Sequence, residues 1–386
     1  MDAKIVGWGH TRFGALNDKS FEDLIIDAAR EALDHAGLAP GDVDAIWLGH
    51  FNNGLVPDAF GSSLVLGLDP KMRFIPATRV ENACASGSAA IYAARDAIRS
   101  GRVRRALVIG AEKMTGRDTK GVTEALAGAS YQAEEAGVSF PQIFARFAQS
   151  YFQAYGDQSA ALAVIAAKNH KAALDNPLAH LQKDLGFAAC NTISDKNPMI
   201  ASPLRMTDCS LVSDGAAAMV MVADDLVGDF PRAVGFRAAV QMNDVLPMSQ
   251  RDLTELTAAK HTFAAAFAEA GISVEDLDLA EVHDCFTIAE LLIYEAMGLA
   301  PKGQGGLLVE DGVTARGGRL PVNLSGGLKA KGHPVGASGV SMHVLAARQV
   351  TGSADAMQVP GAQLAAVFNM GGSGVANYCS ILEAVA

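Results

Sequence analysis

The chain has 386 residues, half of them hydrophobic, so it can bury a large core in one or two globular domains. A formal net charge of −11 supplies no basic face for a phosphate backbone, which argues against a nucleic-acid binder. The N-terminus lacks a signal-peptide stretch and no run of about 18 uncharged apolar residues occurs, so a cytoplasmic protein without a membrane span is expected.

Beta-rich runs alternate with alanine-rich helical stretches along the chain, which favours α/β layers around a mainly parallel sheet. Gly7, Gly9 and Gly14, after Ile5 and Val6, have the wrong spacing for a dinucleotide loop, and no helix pattern opens there. Ala32 to Asp44, ALDHAGLAPGDVD, reads as a helix closing at Gly37, a short turn and then an apolar strand from Ala45 to Leu48. The order returns in Ala266 to Asp278, AFAEAGISVEDLD, closing at Gly271 before a strand from Leu279 to Val282. A second correspondence joins Val103 to Ala111, VRRALVIGA, with Ala362 to Met370, AQLAAVFNM, each after a helix led by Ala-Ser-Gly (Ala85 to Gly87, Ala337 to Gly339). Two similar halves, residues 1–232 and 233–386, should therefore pack about an approximate twofold axis. Residues from about 115 to 205 break the parallel and read as an excursion of the first half, with a helical pattern over Ser139 to Tyr155.

Four segments carry chemistry. VENACASGSAA, Val80 to Ala90, places Cys84 between a strand and a helix of small residues, where the helix dipole and free backbone donors should lower the thiol pKa toward neutrality. EVHDCF, Glu281 to Phe286, puts His283 and Cys285 two residues apart at the end of the second repeat's strand. If the strand continues, both face one side and Asp284 faces away. KGHPVGASG, Lys331 to Gly339, follows NLSGG, Asn323 to Gly327, and sets His333 in a glycine-rich turn, able to take and return the Cys84 proton. FNMGGSG, Phe368 to Gly374, is a strand breaking into glycines that can aim backbone N–H groups at a carbonyl oxygen. The Cys and His spacings match no short structural-zinc pattern, so no metal is expected. Of the five cysteines, taken as free thiols, Cys190, Cys209 and Cys379 are assigned structural places. Lys331 and Arg102 to Arg105 are candidate contacts for a small anion.

Together these segments, with SDGAAAMVM from Ser213 to Met221, resemble the thiolase superfamily, and within it the sterol-carrier-protein-associated thiolase class, over essentially the whole chain. The resemblance implies two βαβαβαββ halves in a five-layer α-β-α-β-α core, usually a homodimer, with a tetramer open. It implies that acyl-CoA and coenzyme A are substrates and that no cofactor is permanently bound. By the same resemblance Cys84 carries the acyl group, His333 activates it, Cys285 moves the proton at the α-carbon, and His283 with His333 stabilises the thioester enolate. Backbone N–H groups of Cys84 and Gly371 form the oxyanion hole. Ordinary thiolases end in a Cys-x-Gly motif that here reads Asn369-Met370-Gly371, so Cys285 takes the second cysteine's task. The reaction implied is cleavage of a 3-oxoacyl-CoA to acetyl-CoA and a shortened acyl-CoA, or the reverse Claisen condensation. The alternatives are a condensing acyltransferase with another acyl donor, a retro-aldol lyase acting on a steroid side-chain acyl-CoA, and a silent acyl-CoA-binding scaffold.

Overall fold

The computed structural model describes residues 2–385. Nine strands form one sheet: β1 Ala3–His10, β2 Ala45–Gly49, β3 Ala77–Val80, β4 Arg105–Glu112, β5 Gly215–Ala223, β6 Val234–Asn243, β7 Leu279–Val282, β8 Leu364–Gly371 and β9 Ala376–Ala384. The helices that matter here are α1 Phe21–Ala36, α2 Ser86–Arg99, α3 Thr119–Ala127, α4 Phe140–Tyr155, α5 Thr257–Ala270, α6 Thr287–Ala296 and α7 Val335–Val350.

Local chemistry explains the repeated element. Ser20 opens α1 through a reciprocal bond with Asp23, and Gly37 closes it in the left-handed conformation at φ 71°. Gly271 closes α5 in the same way at φ 65°. Each glycine is followed by a short 3₁₀ turn and then by the strand, β2 or β7. An aspartate at the same place in each copy locks the next crossover: Asp44 Oδ2 accepts from the N–H groups of Arg104 and Arg105, and Asp278 Oδ2 from those of Gln363 and Leu364.

The strand order is β3-β2-β4-β5-β1-β6-β9-β8-β7, so the halves are mirrored about the β1–β6 junction. There Lys4 pairs with Gly235 and Ile5 with Val234. The counterpart of β3 in the second half is reduced to a bridge between Val322 and Ala280. The expected mainly parallel sheet is corrected: β2–β3, β2–β4 and β7–β8 are parallel, while β5 and β9 run antiparallel to both their neighbours. The tight turn from Gly371 to Ala376 forces this in the second half, because a hairpin can join only antiparallel strands.

Helix α1 covers the outer face of the first half, α5 that of the second, and α2 and α7 lie between the two, giving five layers. The central pair touches at glycines. A Cβ on Gly87 would lie 2.8 Å from the Gly336 carbonyl oxygen, so the small residues around Cys84 are required by this crossing. Among the described residues no helix is long and apolar enough to cross a membrane.

Candidate active site

The carboxyl ends of the strands bring the four segments to one cavity of about 390 Å³, lined by Cys84, Cys285, His333 and Gly372 among others. Cys84 sits on a tight turn between β3 and α2. Ala83 holds a positive φ of 51°, uncommon for a residue with a side chain. Ser86 braces the turn: its Oγ accepts from the Asn82 N–H at 2.9 Å and donates to the Ala83 carbonyl at 2.6 Å.

The expected lowering of the Cys84 pKa does not occur. Burial pushes the thiol up to about 12 and the charges of Glu112 and Glu81 add to it, against backbone N–H groups of Gly372 and Cys84 itself. Helix α2 begins two residues after the sulfur, so the helix dipole meets a thiol already set in an apolar cavity, and desolvation wins.

Ligand atoms of Cys84, His283 and His333 lie within 4.8 Å of one another, and the two rings meet edge to face at 5.1 Å. Burial holds His333 down to about 3, with Lys331 adding, and keeps His283 well below the usual imidazole range. Both rings are therefore neutral at rest, and the roles of their nitrogens depend on the tautomer. For His333 the network fixes it. Ser338 Oγ donates its hydrogen to the Pro334 carbonyl at 3.0 Å, so at 2.7 Å it accepts from His333 Nδ1–H. Nε2, which has no protein partner, then presents a lone pair to the site. A cysteine and two histidines have the ligand types of zinc, but His283 Nδ1 faces the Asn369 Nδ2 amide, so Nε2 could bind a metal only as an imidazolate.

Strand β7 ends at Val282, so His283 to Phe286 form a loop and not the continuing strand expected. The facing survives. Cys285 lines the cavity, whereas Asp284 points away and accepts from the N–H groups of Leu328 and Lys329 at 2.6 and 3.2 Å and from Asn169 Nδ2 at 2.7 Å. Burial raises the Cys285 thiol well above the ordinary range, helped by Cys84 and Asp284. The loop is held from the other side as well, where the Ser210 N–H donates to the Cys285 carbonyl and the His333 N–H to the Leu211 carbonyl.

Models of the thiolase N-terminal domain and of a thiolase C-terminal domain-like unit match residues 3–225 and 240–384. The chain belongs to the thiolase family. It is 38% identical over 383 residues to acetyl-CoA acetyltransferase of Methanothermobacter thermautotrophicus, covering 97% of both chains. It is 31% identical to sterol carrier protein 2 of Homo sapiens, covering 95% of this chain and 69% of that protein. The solved Ltp2-ChsH2(DUF35) aldolase superposes with a TM-score of 0.82 at 23% identity, covering 99% and 98% of the two chains; this likeness is one of fold. Family and relatives make the protein a thiolase-family acyltransferase acting on coenzyme A esters.

In this thiolase the excursion covers the site. Thr119, Val122, Thr123 and Leu126, one face of α3, line the cavity together with Phe140 and Pro141 at the start of α4. Ser139 caps α4, as its helical pattern suggested. The proposed anion contacts fall elsewhere. Lys331 is fully buried with its Nζ on Ser341 Oγ, and Arg102 to Arg105 precede or begin β4, whose far end carries the site about 25 Å away. Arg117 is the cationic side chain among the described cavity-lining residues.

Sequence reading gave Cys209, Gly372 and Asn369 no place in the site. Cys209, assigned a structural place, lines the cavity. Gly371 ends β8 so close to the nucleophile turn that an added Cβ would run into the Asn82 carbonyl, and the next residue, Gly372, lines the cavity and directs its N–H to the Cys84 sulfur. Asn369, in the position of the absent cysteine, touches both the nucleophile and a histidine: its Nδ2 lies 3.3 Å from the Cys84 carbonyl and 2.9 Å from His283 Nδ1. The substitution visible in Asn369-Met370-Gly371 was the available signal.

Proposed function

We propose that this enzyme is a thiolase of the acetyl-CoA acyltransferase type, moving acyl groups through a thioester on Cys84. The observation that carries the reading is the convergence of the Cys84 thiol, the free lone pair of His333 Nε2 and the Cys285 thiol on one largely apolar cavity. In cleavage, His333 Nε2 takes the Cys84 proton as the sulfur attacks the keto carbon of a 3-oxoacyl-CoA. Backbone N–H groups of Cys84 and of Gly371 or its neighbour Gly372 receive the oxyanion. The carbon–carbon bond breaks, and the acetyl-CoA enolate, held by His283 and the now protonated His333, takes a proton at its α-carbon from Cys285. Coenzyme A then gives its proton to the Cys285 thiolate and attacks the acyl-Cys84 carbonyl; the carbon–sulfur bond to Cys84 breaks, the leaving sulfur takes its proton back from His333, and the shortened acyl-CoA is released. Condensation is the same path reversed.

The half-exposed character of β3 supports a homodimer: it is the edge strand of the sheet, and Phe60 and Phe74 nearby are 78% and 85% exposed. A lyase that works without the nucleophile leaves the Cys84–His333 pair unexplained.

The test is coenzyme A-dependent cleavage of acetoacetyl-CoA and of a longer 3-oxoacyl-CoA by the wild type and Cys84→Ala, with intact-mass analysis after mixing with acetyl-CoA. Turnover by the wild type, its loss in the variant, and an acetyl adduct on Cys84 are expected. Turnover that survives Cys84→Ala, or no adduct with either substrate, overturns the reading.

A further inference from the structure

The position where ordinary thiolases carry their second cysteine is occupied here by Asn369, which is fully buried. Its side chain is committed at three points. Oδ1 accepts from Ser88 Oγ at 2.8 Å, while Nδ2 faces the Cys84 carbonyl at 3.3 Å and His283 Nδ1 at 2.9 Å. The Cys84 carbonyl orients the amide, because it can only accept and a flipped amide would set two oxygens against each other there, whereas the Ser88 hydroxyl can serve either orientation.

We infer that Asn369 is a positioning residue that locks His283 in the tautomer protonated at Nε2, so that this ring stands as a permanent hydrogen-bond donor in the site. The steps are few. Nδ2–H must donate to His283 Nδ1, so Nδ1 carries the lone pair. The ring is neutral at rest, so its hydrogen is on Nε2. That nitrogen is buried and has no protein partner, on a ring that is clustered with Cys84 and His333.

The neighbouring histidine is set the opposite way by Ser338, with its Nε2 lone pair turned inward. The two rings are thus a donor and an acceptor before substrate arrives, and neither has to reorganise. A thiol at position 369 has a single hydrogen and could not serve both the Cys84 carbonyl and His283. Exchanging cysteine for asparagine there therefore changes the position from a proton carrier into a tautomer lock, and leaves proton transfer to Cys285.

The catalytic consequence rests on the role proposed above for His283, but the tautomer is measurable without turnover. The full-length resting protein, labelled with ¹⁵N-histidine, gives long-range ¹H–¹⁵N correlations that distinguish the two neutral tautomers, with His283 assigned through His283→Gln. The Nε2–H pattern is expected for His283 at neutral pH, and the Nδ1–H pattern for His333. Asn369→Asp, nearly isosteric but acceptor-only, should convert His283 to the Nδ1–H pattern and lower kcat about 10²- to 10³-fold, the loss typical of one oxyanion donor, with KM little changed. A wild-type His283 protonated at Nδ1 overturns the inference whether or not the enzyme is active, as does an Asp variant that keeps both the wild-type tautomer and kcat. If that variant fails to fold, the wild-type spectrum decides alone.

Discussion

Ser338→Ala tests the reading of the catalytic base most directly. The hydroxyl is fully buried, accepts from His333 Nδ1–H at 2.7 Å and lies outside the cavity lining. Its removal leaves two options. The ring can keep its hydrogen on Nδ1, unpartnered and buried, at a cost of about 1–3 kcal/mol. Alternatively the hydrogen moves to Nε2, and Cys84 then faces a donor where it needs a base. Because the lost bond was all that favoured Nδ1–H, the second outcome prevails and the base-competent ring becomes scarcer by up to that free energy, which at 1.36 kcal/mol per tenfold is about a 5- to 150-fold fall in kcat. KM should change little, because substrate does not meet Ser338. Initial rates of acetoacetyl-CoA cleavage with coenzyme A, beside a melting curve, provide the assay. A folded variant with kcat within about twofold of wild type would refute the tautomer argument for His333, since the lost bond would then carry no catalytic weight.

Cys285→Ala should lower kcat/KM for acetoacetyl-CoA cleavage about 10²- to 10⁴-fold, the range for losing a general acid, while mass analysis still finds Cys84 acetylated by acetyl-CoA; retained turnover would remove Cys285 from the mechanism. Gly371→Ala drives a Cβ into the Asn82 carbonyl beside the nucleophile, so activity should fall sharply and the melting temperature should fall with it; an active variant of unchanged stability would show that the turn relaxes freely. Stability should also fall in mild acid. Burial depresses His10, His170 and His333 to about 3 and His343 to about 4, so the stability their neutral forms lend is complete above about 6.5 and is lost as the pH falls toward those values. That is roughly 1 kcal/mol each over the first pH unit below 6.5. Asp284, raised to about 7 by burial and Glu290, binds its proton in the folded state over the same interval and offsets about one histidine. Unfolding free energies from urea titrations at pH 6.5 and 5.5 should differ by a net of at least about 3 kcal/mol, the buried His283 adding in the same direction, and equal values would contradict the burial of neutral histidines.

The repeat was legible because its signals are local: a C-terminal glycine, an aspartate that caps the next crossover and an apolar strand follow in order within a dozen residues or so. Strand direction was not, since alternation of elements says nothing about whether β5 or β9 pairs parallel or antiparallel with neighbours distant in sequence. The same division runs through the site. Cys84, His283, Cys285 and His333 stand out as residue types in unusual local settings, and the fold brings them to one place. The Cys84 pKa was misread because its sign depends on what buries the sulfur, and those walls come from α3, α4 and the segment from Cys209 to Val212. Asn369 could be seen as a departure from the family pattern, but its partners, Ser88, Cys84 and His283, are supplied by other segments.

The two pKa values at the centre of the site also say when the proton moves. Burial pushes the Cys84 thiol up and the His333 imidazolium down, so the thiolate–imidazolium pair lies well above the neutral pair. Attraction between unit charges about 4 Å apart returns only about 4 kcal/mol in a protein environment. A preformed ion pair is therefore scarce. Transfer from sulfur to Nε2 becomes affordable when the carbon–sulfur bond forms and the negative charge passes to an oxygen facing the backbone N–H groups of Cys84 and the Gly371–Gly372 turn. Alkylation of Cys84 by iodoacetamide, which brings no such oxyanion, should accordingly be slow at neutral pH and rise steadily through pH 9 without a plateau. A plateau near neutrality would reveal a thiolate already present at rest, and proton transfer would then precede attack.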